Sequence, residues 1–227
     1  MKKIILKPLI LGLAAFTAIF LVSCKKSNSI GTNLFYIEDI PTIQGFTPEA
    51  VAQADLEKIV SSGINSQSAM NGQPWYFSVV TNKDLLDKIA KDMSSGMKRK
   101  PAPGDEMAPP PAPPAGNGNA GPKAGINDAP AAIIISSKDG SEFDAGLATQ
   151  LMAVETYALG YGAKIISSPT IALNGANKAE YKKALGIPED MNAKAILLIG
   201  KYDKTNVDAV TGATTRKAKD EVSTFIQ

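Results

Sequence analysis

From Lys98 to about Asn127 the chain offers almost nothing from which a core could be built. The run Ala108-Pro109-Pro110-Pro111-Ala112-Pro113-Pro114 is followed by alternating Gly, Asn and Ala. Such a stretch cannot bury enough apolar surface to offset the entropy of ordering it, so an extended, mobile spacer loop is expected. A polyproline docking segment is the alternative. Patterned sequence lies only on either side, so one fold has to be assembled from two segments joined through this loop.

The N-terminus removes a further stretch from the fold. Met1-Lys2-Lys3 is a basic start, and Ile4 to Val22 is an apolar run broken by Lys7 and Pro8. It ends in Leu21-Val22-Ser23-Cys24, followed by Lys25-Lys26 and a polar stretch. That layout describes an export signal, and its end resembles a bacterial lipobox, in which Cys24 becomes the acylated first residue. A single membrane-spanning anchor is the other reading of the run, although Lys7 and Pro8 shorten it. The expected division is a lipoprotein signal peptide over 1–23, a tether over 24–45 and one domain over 46–227, with the Pro/Gly-rich loop at 98–127 inside it. The protein would then be held by lipid (acyl, palmitate-type) to a membrane of the cell envelope, facing out of the cytoplasm. Lys25 supplies no aspartate-type inner-membrane retention signal.

Composition then narrows the chemistry. Cys24 is the one cysteine and there is no histidine. Once acylated, Cys24 leaves no thiol for a disulfide, a thiolate metal site or a nucleophile, and the lack of imidazole removes the usual general base and most transition-metal sites. Charge is close to balanced, at +2 for the whole chain, and slightly acidic once the signal lysines are lost. No basic stripe interleaved with aromatics points to nucleic acid. Chemistry is left to carboxylates or to a bound cofactor, and a flavin needs neither thiol nor imidazole because its ring takes the electrons.

Periodicity supplies the elements. Thr47-Pro48-Glu49 reads as a helix start, with Val51, Leu56, Ile59 and Val60 at helical spacing up to Gly63. Trp75 to Val80 is an aromatic and β-branched strand. Asn82 caps a helix with Leu85, Leu86, Ile89, Ala90 and Met93 on one face. Ala131 to Ile135 is apolar on both faces, as an interior strand would be. A helix follows over Ser141 to Leu159, with Phe143, Leu147, Leu151, Val154 and Ala158 expected inward and Gly160 as its stop. Lys164–Ser167 forms a short strand, Ala176–Leu185 a helix, and Ala193–Gly200 the closing strand. Strands and helices interleave, which gives a single α+β domain.

Ser68-Ala69-Met70-Asn71-Gly72-Gln73-Pro74-Trp75, just before the first strand, resembles the Pro-Ser-x-x-Asn-x-Gln-Pro-Trp signature of the FMN-dependent nitroreductase family, with Gln67 where that family has proline. Further pieces occur in the family's order. They are Asn127-Asp128-Ala129-Pro130 leading into the apolar strand, Phe143 to Leu151 through Gly160-Tyr161-Gly162-Ala163, and Leu185-Gly186-Ile187-Pro188-Glu189 before the last strand. The resemblance implies a nitroreductase-like mixed sheet flanked by helices, FMN as cofactor and a homodimer with the flavin at the subunit interface. It places Ser68, Asn71 and Gln73 at the pyrimidine and ribityl side of the flavin, and Ile166, Ser167 and Ser168 beside the ring near its reactive nitrogen. A helix-to-strand turn and a strand end are the plainer readings of these two segments.

The chain also departs from that family. Its usual arginine-rich start, which binds the FMN phosphate, is missing, since Asn33 to Ala50 contains no Lys or Arg. Near the C-terminus, Asp208-Ala209-Val210-Thr211-Gly212-Ala213-Thr214 resembles the Asp-x-x-[Ser/Thr]-Gly-Ala-[Ser/Thr] signature at which a flavin transferase esterifies FMN phosphate onto a threonine. Arg216 or Lys217 fits the family's basic residue after the last strand, which reaches the phosphate. These resemblances imply FMN joined covalently to Thr214 and screened by Arg216. A phosphodiester carries one negative charge where a monoester carries nearly two, so fewer cations are needed. The implied protein is an extracytoplasmic flavoprotein, a reductase or electron carrier drawing on an envelope electron donor. A flavin-free lipoprotein using the same fold as a binding or structural module is the alternative.

Overall fold

The computed structural model describes residues 42–43, 45–97, 125–202, 207–208 and 217–226, all within the unit Pro41–Gln227. Cys24, the signal run, most of the tether, residues 98–124, Thr214 and Arg216 lie outside the described residues. Among the described residues no helix is long and apolar enough to cross a membrane, and no group of three or more Asp, Glu, His or Cys could hold a metal ion.

The chain order is β1 (Thr42–Ile43), α1 (Gln53–Ile64), β2 (Trp75–Val80), α2 (Lys83–Met97), β3 (Ala131–Ser137), α3 (Glu142–Ala158), β4 (Gly162–Ile166), α4 (Thr170–Leu173), α5 (Lys178–Leu185), β5 (Asn192–Gly200), β6 (Val207–Asp208) and α6 (Lys219–Val222). A four-stranded sheet runs in the order β2-β3-β5-β4. The strands, expected as a mixed sheet, pair antiparallel throughout.

Burial follows from the period-2 alternation of side chains across a sheet. All seven residues of β3 are buried. Ala132 and Ile134 face Leu86 and Ile89 of α2, Leu173 of α4, and Tyr181 and Leu185 of α5. Ala131, Ile133 and Ile135 face Leu56 and Ile59 of α1 and Ala145 and Met152 of α3. The domain is therefore a helix–sheet–helix sandwich, and its middle strand has no wet face. Helix ends follow local chemistry: Asn82 Oδ1 accepts the Leu85 N–H at 2.9 Å at the start of α2, and Gly186 closes α5 at φ 68°.

Several expectations are corrected. The first helix starts at Gln53 and not beside Thr47, because the Thr47 N–H donates to Lys201 O (2.8 Å) and holds the chain extended past β5. Thr42 and Ile43, placed in the tether by sequence, pair with Asp208 and Val207, and Ile43 is buried. Ile126, assigned to the spacer loop, is buried in the core with α2. The short α4 was not foreseen.

The largest correction concerns α3. Its buried stripe is Ala145, Ala148, Thr149, Met152, Ala153 and Thr156, whereas Phe143, Leu147, Leu151 and Ala158 are exposed and Val154 is half-buried. Small residues let α3 lie close against the sheet and against α1, where a side chain at Gly63 would run into Met152 at 2.8 Å. Close approach favoured the small face over the large one.

A polar brace ties α2 to α5. Tyr181 donates to Asp92 Oδ2 at 2.7 Å, Asn177 Nδ2 donates to the same oxygen at 3.0 Å, and Lys88 Nζ lies 4.5 Å over the Tyr181 ring. These hydrogen bonds, from Tyr181 first and then Asn177, hold Asp92 below its ordinary value. Burial of the phenol, and then its bond to Asp92, push Tyr181 up to about 12 from 10.0, and burial does the same for Tyr157.

Two outcomes are expected. Ile134→Ala, at a site with no solvent exposure, should cost about 2–5 kcal/mol in denaturant unfolding. A raised folded pKa means that the stability held by the neutral phenols is complete below their unfolded value and lost as pH rises toward the folded one. Melting temperature should therefore fall as pH climbs from 10.0 to about 12, and Tyr181→Phe should flatten that fall.

Candidate functional site

Ten residues, from Asn65 to Pro74, link α1 to β2, and they contain the strained backbone of the fold. Met70, Asn71 and Gln73 have φ of 50°, 55° and 45°, and no other described non-glycine residue has a positive φ. The left-handed region costs a residue with a Cβ roughly 1–2 kcal/mol, and such outliers cluster at binding and catalytic sites. Met70, at the apex of a 3₁₀ turn spanning Ala69–Asn71, is 100% exposed, so no apolar contact offsets its strain.

Hydrogen bonds hold this loop. Ser68 Oγ accepts the Gln73 N–H at 3.0 Å, and Gln73 Nε2 donates to Asn71 Oδ1 at 3.3 Å. The three loop residues singled out by sequence thus form one cluster. Outside the loop, the Ala69 N–H donates to Asp144 Oδ1 of α3 at 3.2 Å, and the Lys138 N–H donates to Pro74 O at 3.4 Å.

Ile166, Ser167 and Ser168 end β4 and lead into α4. Ile166 is half-buried, both serines are exposed, and Ser167 O accepts the Thr170 hydroxyl at 2.7 Å. The alternating strand directions put this segment at the same end of the sheet as the 65–74 loop. They stand at opposite edges, however, with two strands between them, which amounts to about 14 Å at the usual strand spacing. One copy of the chain does not bring the two segments into a single cluster. Thr214 and Arg216 lie outside the described residues; Asp208, where their motif begins, pairs with Thr42.

The same end of the sheet carries a charged brace. Ile135 pairs with Ala195 and Ser136 with Ala193, so Lys194 is the extra residue of a bulge, and a bulge re-aims its side chain. Lys194 Nζ reaches Asp139 Oδ1 at 2.6 Å and Glu142 Oε1 at 2.7 Å. Partial burial pulls the Lys194 ammonium down, but the bonds to Asp139 and Glu142 outweigh it and hold it above its ordinary value. Its hydrogen bond in turn lowers Asp139 and Glu142. The brace fixes the start of α3, and with it Asp144.

Sequence reading missed two features of this region. Asp144 had the form of an ordinary first-turn acid, which the helix dipole explains by itself. Phe143, Leu147 and Leu151, with Phe143 at 78% exposure, repeat every four residues and were assigned to the core. Phe143 neighbours Asp144, which is bonded to the loop, and Ile64 and Met70, at the end of α1 and in the loop itself, are exposed as well.

Residues 41–201 match the Nitroreductase family. The chain belongs to the nitroreductase family. Its fold is similar to that of a nitroreductase with bound FMN from Desulfitobacterium hafniense (TM-score 0.67, 20% identity, 86% of this chain and 98% of that one). It is also similar to a nitroreductase with bound FMN from Bacteroides fragilis (TM-score 0.66, 16% identity, 86% and 99%) and to a BluB-like flavoprotein from Clostridium difficile (TM-score 0.66, 17% identity, 86% and 98%). A protein of Archaeoglobus fulgidus assigned as an NADH dehydrogenase/NAD(P)H nitroreductase is 31% identical over 55 residues, and the match spans 24% of this chain and 32% of that curated relative.

The loop's side chains have the chemistry that a flavin's polar edge requires. Ser68, Asn71 and Gln73 offer hydroxyl and amide groups at a half-buried to exposed rim, able both to donate and to accept. Since the strain at Met70 serves shape and not packing, Met70→Gly should raise unfolding stability by about 1 kcal/mol in denaturant melts.

Proposed function

We propose that this nitroreductase-family protein is a membrane-anchored, extracytoplasmic flavoprotein that carries FMN, linked through its phosphate to Thr214, and acts as a reductase or electron carrier. The observation that carries the flavin reading is the strained, polar Ser68–Gln73 loop in a fold whose family signature it shares. Ser68, Asn71 and Gln73 meet the pyrimidine and ribityl side, while Ile166, Ser167 and Ser168 lie beside the ring. Thr214 holds the phosphate and Arg216 screens it. The flavin, when bound, supplies the redox chemistry by accepting electrons from an envelope donor and passing them on.

The covalent linkage is supported by the Asp208–Thr214 motif and by the lack of any cation between Asn33 and Ala50. Ile43 of β1 lies against the start of β4, where its Cδ1 would be 3.2 Å from a side chain at Gly162. Asp208 pairs beside Ile43. Six further residues can extend about 20 Å, enough to follow the five residues of β4 toward Ser167. The anchor rests on the export run and Cys24.

A homodimer is part of the proposal. The two flavin-facing segments stand at opposite sheet edges, and the uncovered stripe of Phe143, Leu147 and Leu151 lies beside the loop. A second copy that covers this stripe can set its loop against the first copy's Ile166–Ser168.

Intact mass of the full chain, co-expressed with a flavin transferase in a host that exports it, tests the linkage. The expected result is a gain of one FMN less one water that is lost in Thr214→Ala; an unshifted mass, or a shift that survives the substitution, overturns it. The missing arginine-rich start favours a second reading, a flavin-free lipoprotein module. That protein would be colourless, whereas the covalent flavoprotein stays yellow after denaturation.

A further inference from the structure

A loop that stores strain needs something outside itself to hold it. The bonds from Gln73 to Ser68 Oγ and Asn71 Oδ1 close the 65–74 loop on itself but do not orient it against the domain. The Lys138–Pro74 bond only prolongs the ladder between β2 and β3. Asn65 and Ser66 bond back to Ser61 O and Gly63 O and so only prolong the end of α1. Among the described residues, the bond that ties the strained turn itself to another element is the Ala69 N–H to Asp144 Oδ1, at 3.2 Å across 75 residues of sequence. It acts between Ser68 and the left-handed Met70–Asn71 pair, where one fixed amide orients both neighbours. Its acceptor is a carboxylate, and a charged acceptor makes the stronger bond.

Asp144 itself is well placed to anchor. It is half-buried in the first turn of α3, whose start is tied by Glu142 and Lys194 to the bulge in β5. The chain of support runs from the sheet through Lys194 and α3 to Asp144, and from there to the loop.

We propose that Asp144 is a positioning residue that holds the loop carrying Ser68, Asn71 and Gln73 in its flavin-facing shape. This role rests on the flavin reading above. Asp144 acts through the Ala69 amide and not by touching the cofactor. The oxygen acceptor is what matters most, so Asn in its place keeps part of the function and Ala removes it.

The test uses the full chain produced without a flavin transferase, in wild-type, Asp144→Asn and Asp144→Ala forms, with Asp144→Leu as a second way to withdraw the acceptor. Hydrogen exchange at the Ala69 amide reads the loop directly, titration with FMN reads the cofactor, and a thermal melt reads the fold. Loss of a charge-assisted bond should speed Ala69 exchange about tenfold in Asp144→Ala and weaken FMN binding by about the same factor. Asp144→Asn, which keeps an oxygen acceptor without its charge, should fall between the wild type and Asp144→Ala in both readouts, and all forms should melt within a few degrees of one another. Unchanged Ala69 exchange in Asp144→Ala overturns the role, as does a freed amide with undiminished FMN affinity, or an Asn variant that behaves like Ala. A wild type that takes up FMN neither from solution nor through a flavin transferase overturns the flavin reading itself and this role with it.

Discussion

β3 leaves no side chain in water, and that single strand organises the rest of the domain. A strand buried on both faces needs a helical layer on each side, and its odd and even residues sort those layers into two separate cores. Its neighbours β2 and β5 run antiparallel to it, and β4 antiparallel to β5. The start of β2 and the end of β4 are thereby delivered to one end of the sheet. The 65–74 loop and Ile166–Ser168 lie at that end because of this alternation, and their separation across β3 and β5 follows from the same strand order.

Packing on α3 has the next largest effect. A helix that lies close to a sheet and to another helix has to present small side chains, and α3 presents alanines and threonines around Met152. The cost is that Phe143, Leu147 and Leu151 turn outward. This uncovered stripe begins beside Asp144, so the bond to the strained loop and the exposed apolar surface arise from one helix orientation. Strain, exposed apolar surface and the Lys194 brace gather at the same end of the fold, while the opposite helix layer is held by the ordinary Asp92–Tyr181 network.

Much of this was legible in the residues. β2, β3, β5 and the body of each long helix follow from period-2 and period-3.6 patterns, which depend on neighbours in sequence. The Ser68–Trp75 loop was legible as a family signature, and its three side chains do form one cluster. Less legible was whatever depended on distant partners. Thr47 has the local chemistry of a helix start but is bonded to Lys201, Ile126 follows a spacer but enters the core, and Thr42–Ile43 acquires strand structure only from Val207–Asp208. Asp144 could not be told from any other first-turn acid, since its partner is 75 residues away.

The sequence by itself determined which stretches are helix and strand, that β3 is interior, that the chain has no imidazole and one cysteine, and which loop carries the family's amides. Each of these depends on residue type and short-range spacing. Tertiary structure alone decided which face of α3 is inside, how the strained loop is anchored, and how far it lies from Ile166–Ser168. Those outcomes are set by close packing and by strand order, where the contact that wins is made between residues far apart in the chain.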